Sequence, residues 1–120
     1  MESLNARRFA EEWIEAFNSH DVETILRHYS PEVELISPLY RRYTDGRTDS
    51  VRGLDGLRRY FSDALVRYPD LRFTLVEVGT GSRGPCLRYL SNLDDRIAME
   101  CMELNSEGKA IRILCHYVTE

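Results

Sequence analysis

Apolar residues recur at the spacing of an amphipathic helix in three segments of the chain. The first segment predicts a helix over about residues 4–19, capped by Ser3. The second predicts a helix that Asp21 caps and that ends at Ser30-Pro31, because the residue before proline avoids helical angles. The third predicts a helix over about residues 55–68. The apolar stripes of the first two helices comprise Phe9, Trp13, Ala16 and Phe17, and Val22, Ile25, Leu26 and Tyr29.

Alternation of apolar and polar residues, the period of a β-strand, dominates the second half of the chain. It predicts four strands, joined by turns into an antiparallel meander, over residues 71–78, 86–93, 96–104 and 110–118. An earlier strand covers residues 33–40, and Pro38 within it indicates an edge or a strand end. Residues 41–53 are polar and are predicted to form a loop. Helices precede strands without β–α–β alternation, so we expect one α+β domain over residues 1–120.

The composition argues against two classes of partner, nucleic acids and membranes. The chain has 120 residues and a net charge of −4, which argues against nucleic acid because a phosphate-binding surface needs a basic excess. No apolar run is long enough for a transmembrane helix, and the first residues lack the apolar stretch of a signal peptide. We therefore expect no membrane partner and a cytoplasmic location. Arginines and aspartates alternate between Arg41 and Arg59, which favours a self-compensating surface over a rim for an anionic substrate.

The cysteines and glycines predict neither a metal site nor a cofactor site. Cys86, Cys101 and Cys115 fall in three different predicted strands and lack metal-type spacing. We expect all three to be free thiols that pack as small apolar side chains. The glycine-rich turn "GTGSRG" joins two strands rather than opening a helix, so it is a poor phosphate site.

The strand "IAMECMEL", residues 97–104, raises the main chemical question. Its alternation puts Glu100 on one face with Ala98, Met102 and Leu104, yet the opposite face is nearly as apolar. A carboxylate turned into an apolar interior is costly unless it is paired or protonated. Three interpretations therefore remain: a solvated glutamate, a buried structural glutamate paired with an arginine such as Arg88, and a functional acid.

The order of elements, and three phrases within it, resemble one known group of proteins. The phrases are "EEWIEAFNSHDVETILRHYSPEVELISPL", "GLDGLRRYFSDALVRYPDLRF" and "MECMELNSEGKAIRILCHY". Together they resemble the nuclear transport factor two-like superfamily, which includes ketosteroid isomerases and SnoaL-like polyketide cyclases. The resemblance implies three helices packed in a curved, mostly antiparallel sheet, a cone-shaped, cystatin-like α+β barrel. It also implies an apolar pocket at the open end and a homodimer formed through the outer sheet face.

By this resemblance, three positions of the chain can be compared with the catalytic positions of ketosteroid isomerases. Glu100 falls where those enzymes keep a neutral carboxylic acid in the oxyanion hole. Ser37 stands at the position of the general-base aspartate, and a serine without a histidine is a poor base near neutral pH. Trp13 replaces the oxyanion tyrosine, and its indole can donate but never accept. The chain is therefore not expected to be a steroid isomerase.

The last strand supplies a second candidate for catalysis. Alternation places Ile113, Cys115 and Tyr117 on the inner face, and it leaves His116 on the outer face as a candidate dimer contact. Tyr117 would lie near the pocket mouth by resemblance, where its hydroxyl could bond with Glu100. The residues expected to line the pocket are Trp13, Ser37, Tyr40, Tyr60, Ala98, Met102, Ile113 and Cys115.

Two functional hypotheses follow. In the first, the chain is an acid–base enzyme, an isomerase, cyclase or hydrolase, that acts on an apolar cyclic or aromatic small molecule without a cofactor, using Glu100 and Tyr117. In the second, it is a non-catalytic dimeric module of the same fold that binds a ligand or a protein. The serine at position 37 favours the second hypothesis, because one acid without a base is an incomplete catalyst.

Overall fold

The computed structural model describes residues 2–119, which form four helices and six strands. The helices are α1 (Ser3–Ser19), α2 (Val22–Leu26), α3 (Pro38–Tyr43) and α4 (Gly53–Arg67). The strands are β1 (Tyr29–Ile36), β2 (Ser50–Arg52), β3 (Phe73–Thr80), β4 (Pro85–Ser91), β5 (Arg96–Leu104) and β6 (Ala110–Tyr117). The α+β class predicted from the sequence is confirmed.

The strands form one curved sheet in the order β2-β1-β6-β5-β4-β3. The pair β1–β6 is parallel, and the other neighbouring pairs are antiparallel. The sheet does not close, since β2 and β3 lie at opposite ends of the order. The cone implied by the resemblance is therefore an open, curved sheet that wraps around helices.

The long helices behave as their apolar stripes predict. The first, α1, buries Trp13 and Phe17 and packs mainly on β3, while α4 packs on β1. Glu2, not the predicted Ser3, is the residue before α1, and it makes no side-chain capping bond. Asp21 caps α2 as predicted, because its carboxylate accepts hydrogen bonds from two backbone amides of the first turn.

Three predicted segments differ from the structure in the stretch between α2 and α4. The predicted strand over residues 33–40 ends too late, because β1 covers Tyr29–Ile36 and residues 38–40 belong to α3. The predicted second helix is too long, because Tyr29 and Ser30 extend β1 rather than α2. The predicted loop over residues 41–53 contains part of α3 and all of β2. Ser37 caps α3 by accepting a hydrogen bond from the Leu39 amide, and Pro38 occupies its first turn, where proline has no amide to lose.

The core lies between the concave face of the sheet and the helices α1 and α4. Its aromatic centre contains Trp13 and Phe17 of α1, whose ring centroids lie 4.6 Å apart, with Phe73 and Tyr89 against them. Phe61 of α4 joins this group through an edge contact with Phe17. Aromatic side chains bury large apolar areas, so this cluster is a main source of the fold's stability.

The cysteines correct one prediction. Cys86 and Cys101 face each other across β4 and β5, with Cα atoms 4.0 Å apart, and are joined by a disulfide. The expectation that they are free thiols was wrong, because the hairpin register that opposes them could not be derived from their spacing alone. Cys115 is free and buried, as expected.

The surface charges are paired as predicted for the arginine-rich segment. Arg41 contacts Asp49, Arg52 contacts Glu34, and Arg58 bridges Glu23 and Asp55. These pairs are exposed, so each stabilises the fold only slightly. Within residues 2–119, no helix is long and apolar enough to cross a membrane.

Candidate functional site

Glu100 lies on the inner face of β5 and is 6% exposed. Its neighbours on that face are the buried Ala98 and Met102, as the alternation predicts. Its carboxylate accepts a short hydrogen bond from the Tyr89 hydroxyl. Cys115 stands directly opposite on β6, and its thiol also hydrogen-bonds with the carboxylate. The interpretation of Glu100 as a solvated glutamate is therefore wrong.

Burial is the main cause of the raised pKa of Glu100. Removal from water disfavours the charged form and raises the pKa of Glu100 to about 7 from its usual 4.5. The hydrogen bonds from Tyr89 and Cys115 act in the opposite direction, because both donate to the ionised carboxylate. Among residues 2–119, no arginine pairs with Glu100: Arg88, the ion-pair partner considered above, lies on the outer face and contacts Glu77.

Phenol groups surround this carboxyl. Burial, and then the nearby charge of Glu100, raises the pKa of Tyr29 and of Tyr89 well above the usual value. The same two causes raise the pKa of Tyr117, and burial also raises that of Tyr60. All four phenols therefore stay protonated near neutral pH. They offer hydrogen-bond donors rather than negative charge to a group that binds near Glu100.

Three half-buried tyrosines lie at the exposed side of this cluster, and we call Tyr40, Tyr60 and Tyr117 the tyrosine rim. The rings of Tyr40 and Tyr60 meet edge to face with centroids 4.9 Å apart. Ser37 lies beneath the rim, 2% exposed, where its hydroxyl interacts with Tyr117 and with the Cys115 thiol. The predicted bond between Tyr117 and Glu100 is replaced by this contact with Ser37 and by the bond from Tyr89 to Glu100.

The remaining predicted pocket residues belong to the packed core. Trp13, Ala98, Met102 and Ile113 are each at most 4% exposed. The Trp13 indole donates to the Tyr29 hydroxyl at 2.9 Å, so its polar group is already satisfied. Cys115 is 9% exposed and lies between Ser37 and Glu100. The structure thus brings Ser37, Cys115, Glu100, Tyr60 and Tyr117 together and leaves Trp13, Met102 and Ile113 as packing residues.

The sequence analysis missed Tyr89 and Tyr29 as members of the cluster. Tyr89 pairs with Ala98 and lies two residues along β4 from Leu87, the residue opposite Glu100, which puts it diagonally across from the carboxyl on the same face. The turn assigned to Asp94-Asp95 gives a different register, because the hairpin loop comprises residues 92–95 and Ser91 pairs with Arg96. Tyr29 was missed because it was assigned to the second helix instead of β1.

Two other features lie apart from this cluster. His116 is exposed on the outer face, as predicted. Open surface depressions lie beside α1, near Glu11 and Asn18, and beside the end of α4, near Tyr68 and Asn92, and neither depression includes a residue of the cluster. Across residues 2–119, histidine, cysteine and carboxylate side chains form no group of three suited to a metal ion.

The chain is similar to a known domain family and to solved structures. A SnoaL-like domain profile matches residues 10–113. A SnoaL-like protein of unknown function from Burkholderia thailandensis has 28% identity to this chain, covering 99% of both chains, with a TM-score of 0.93. No curated protein sequence matches significantly.

Two more distant solved structures share the fold. A proposed isomerase of the SnoaL-like family from Agrobacterium tumefaciens has 15% identity and a TM-score of 0.77, covering 97% of this chain and 99% of its own. TerC, co-crystallised with polyporic acid, has 16% identity and a TM-score of 0.76, covering 95% of this chain and 92% of its own. The profile match spans most of the chain, and the fold is that of the nuclear transport factor two-like superfamily. The chain therefore belongs to the family of SnoaL-like domains.

Proposed function

We propose that this SnoaL-like protein binds an apolar, cyclic or aromatic small molecule beneath the tyrosine rim and transfers a proton to or from it through Glu100. The observation that carries the proposal is a buried carboxyl, free of any ion pair in residues 2–119, whose pKa lies at about 7. Such a perturbed group in a family of pocket proteins is a candidate for acid–base chemistry.

A carboxyl that titrates near neutral pH can act in both directions. In its ionised form it can accept a proton from carbon or oxygen, and in its neutral form it can return one. Glu100 could therefore perform both proton transfers of an isomerisation, which weakens the objection raised by Ser37 at the usual base position. Cyclisation and hydrolysis need the same kind of proton transfer, and no cofactor is required for any of them.

The surroundings of Glu100 favour an uncharged ligand. The tyrosine rim offers aromatic faces, and the protonated phenols offer donors to a carbonyl or hydroxyl oxygen. Of two solved structures with the same fold, one is a proposed isomerase and the other is TerC, which was crystallised with the small molecule polyporic acid.

A second candidate function rests on a specific observation. Glu100 is almost fully buried, and the open depressions described above do not reach it. A closed interior is what a non-catalytic ligand-binding or protein-interaction module of this fold would have. In that case Glu100 would be a buried polar group satisfied by Tyr89 and Cys115.

The two candidates differ in their response to Glu100→Gln. This variant keeps the shape of the side chain and one acceptor oxygen but cannot ionise, so an acid–base enzyme should lose turnover of any substrate found. Glu103→Gln is the matched control, because Glu103 lies on the outer face of the same strand, and it should leave turnover unchanged.

Substrates for this assay would come from thermal stabilisation with a panel of neutral cyclic and aromatic compounds, since a ligand of the native state raises its melting temperature. Full activity of Glu100→Gln on a ligand so identified would refute the acid–base role. Binding without turnover in the wild-type chain would favour the module.

A further inference from the structure

Of the four tyrosines near Glu100, Tyr89 is the one whose hydroxyl donates a hydrogen bond to the carboxylate. The contact is built by the β4–β5 hairpin. Leu87 stands opposite Glu100, and Tyr89 stands opposite Ala98, so Tyr89 and Glu100 are diagonal neighbours on the inner face. A phenol is long enough to span this diagonal.

The ring of Tyr89 is held from two sides. Its centroid lies 4.5 Å from that of Phe73 and 5.3 Å from that of Trp13, and the residue is 3% exposed. Close packing on both sides of the ring restricts rotation of the Tyr89 side chain. The phenol therefore reaches Glu100 with a fixed direction and little loss of conformational entropy.

The other groups that face Glu100 act on it differently. On β1, α4 and β6, the titratable residues that interact with its charge are Tyr29, Tyr60, Cys115 and Tyr117. The Tyr29 hydroxyl bonds with the Trp13 indole, and Tyr117 bonds with Ser37. Of this group Cys115 alone also donates to the carboxylate, and a thiol is a weak donor.

We infer that Tyr89 is a positioning residue, which holds the Glu100 carboxyl in one orientation and keeps its ionised form accessible near neutral pH. The inference rests on the proposed function for its catalytic meaning, but its physical content can be tested without a substrate. Without the Tyr89 hydroxyl, the weak Cys115 donor would remain as the one hydrogen bond opposing burial, and the carboxyl would be more fully protonated at physiological pH and a poorer base.

The test is the titration of Glu100 in Tyr89→Phe, followed by carbon-detected NMR of side-chain-labelled glutamate. Phenylalanine keeps the ring that packs on Phe73 and Trp13 and removes only the hydroxyl. Loss of a hydrogen bond to a charged group should raise the pKa of Glu100 by about 1 to 2 above the wild-type value. Tyr60→Phe is the matched control, because Tyr60 interacts with Glu100 through charge alone. It should change the pKa by much less.

A second measurement covers the case in which Tyr89→Phe does not fold. In the wild-type chain, the ring carbon of Tyr89 that bears the hydroxyl should change its chemical shift with the same midpoint as the Glu100 carboxyl. Equal pKa values of Glu100 in Tyr89→Phe and Tyr60→Phe, or a Tyr89 resonance that ignores the Glu100 titration, would overturn the inference.

A substrate, once found, separates this inference from the proposed function. Tyr89→Phe should then move the pH at which kcat is half-maximal upward with the pKa of Glu100. A shifted pKa together with activity that does not depend on Glu100 would support Tyr89 as the positioning residue and refute the acid–base enzyme.

Discussion

Glu100 holds its proton more strongly in the folded chain than in the unfolded chain, and this difference links stability to pH. Its pKa is about 7 when folded and 4.5 when solvated, so between these values the native state binds more protons. The free energy of unfolding therefore falls as pH rises from about 4.5 to 7, by up to about 3 kcal/mol.

This dependence should appear as a difference between wild type and Glu100→Gln. Glutamine cannot ionise, so the stability of the wild type relative to this variant should decline between pH 4.5 and pH 7 and level off above about pH 8. The tyrosines and Cys115 near Glu100 have raised pKa values and stay protonated throughout. Urea unfolding at a series of pH values measures the difference. A relative stability that does not change with pH would mean that the Glu100 carboxyl is not desolvated.

At the scale of elements, the sequence predicts the helices and strands whose apolar residues repeat with a regular period. It misses the short elements whose structure depends on contacts with other elements. The helices α1 and α4 and the strands of the meander were predicted because their apolar positions repeat regularly. The inner face of β6 was predicted for the same reason. The short elements α3 and β2 were missed, since each carries too few residues to show a period. The contacts of β2 are with β1 and α4, and those of α3 are with β2 and with Tyr60 of α4.

The candidate site shows the same limit. Glu100, Ser37 and Tyr117 were found through the resemblance and the alternation of their strands. Tyr89 and the Cys86–Cys101 disulfide depend on the register of one hairpin, because a shift by a single residue would turn every side chain to the opposite face. The register between two strands depends on both turn geometry and packing. It cannot be derived from the alternation of apolar and polar residues along one strand.

The short helix α3 carries Tyr40 of the tyrosine rim and has few buried contacts. Each of its six residues is exposed or half-buried, and it packs on α4 through the rings of Tyr40 and Tyr43 against Tyr60. The Tyr43 hydroxyl also donates to Asp63 at 2.5 Å. An element with so few buried contacts opens more easily than the core.

Removal of the Tyr43 ring should therefore expose the interior more often. In a Cys86→Ser, Cys101→Ser background Cys115 is the remaining thiol, and its slow reaction with a thiol reagent reports opening near Ser37. Tyr43→Ala should speed this reaction by about ten-fold, because the lost ring contact with Tyr60 and the lost hydrogen bond to Asp63 together contribute about 1.4 kcal/mol. The control Tyr68→Phe changes a ring beyond the end of α4 and should leave the rate unchanged. Equal rates in both variants would show that the thiol is reached without movement of α3.

At the scale of the whole molecule, the outer face of the sheet, which faces away from the helices, exposes apolar side chains. Leu114 is 38% exposed there, directly opposite Cys101, and Met99 stands beside them opposite His116. We propose that two copies of the chain associate through this face, as the family resemblance also implies. The partner would cover apolar atoms that otherwise contact water.

Light scattering at micromolar concentration should then return a mass near twice 14.0 kDa for the wild-type chain. Leu114→Glu places a carboxylate in the centre of the contact and should return the monomer mass, because a buried unpaired charge is strongly unfavourable. Val66→Glu is the matched control: Val66 lies on α4, is 81% exposed, and should leave the dimer intact. A wild-type mass near 14.0 kDa would refute the dimer, whereas dissociation by both variants would place the contact on a different face.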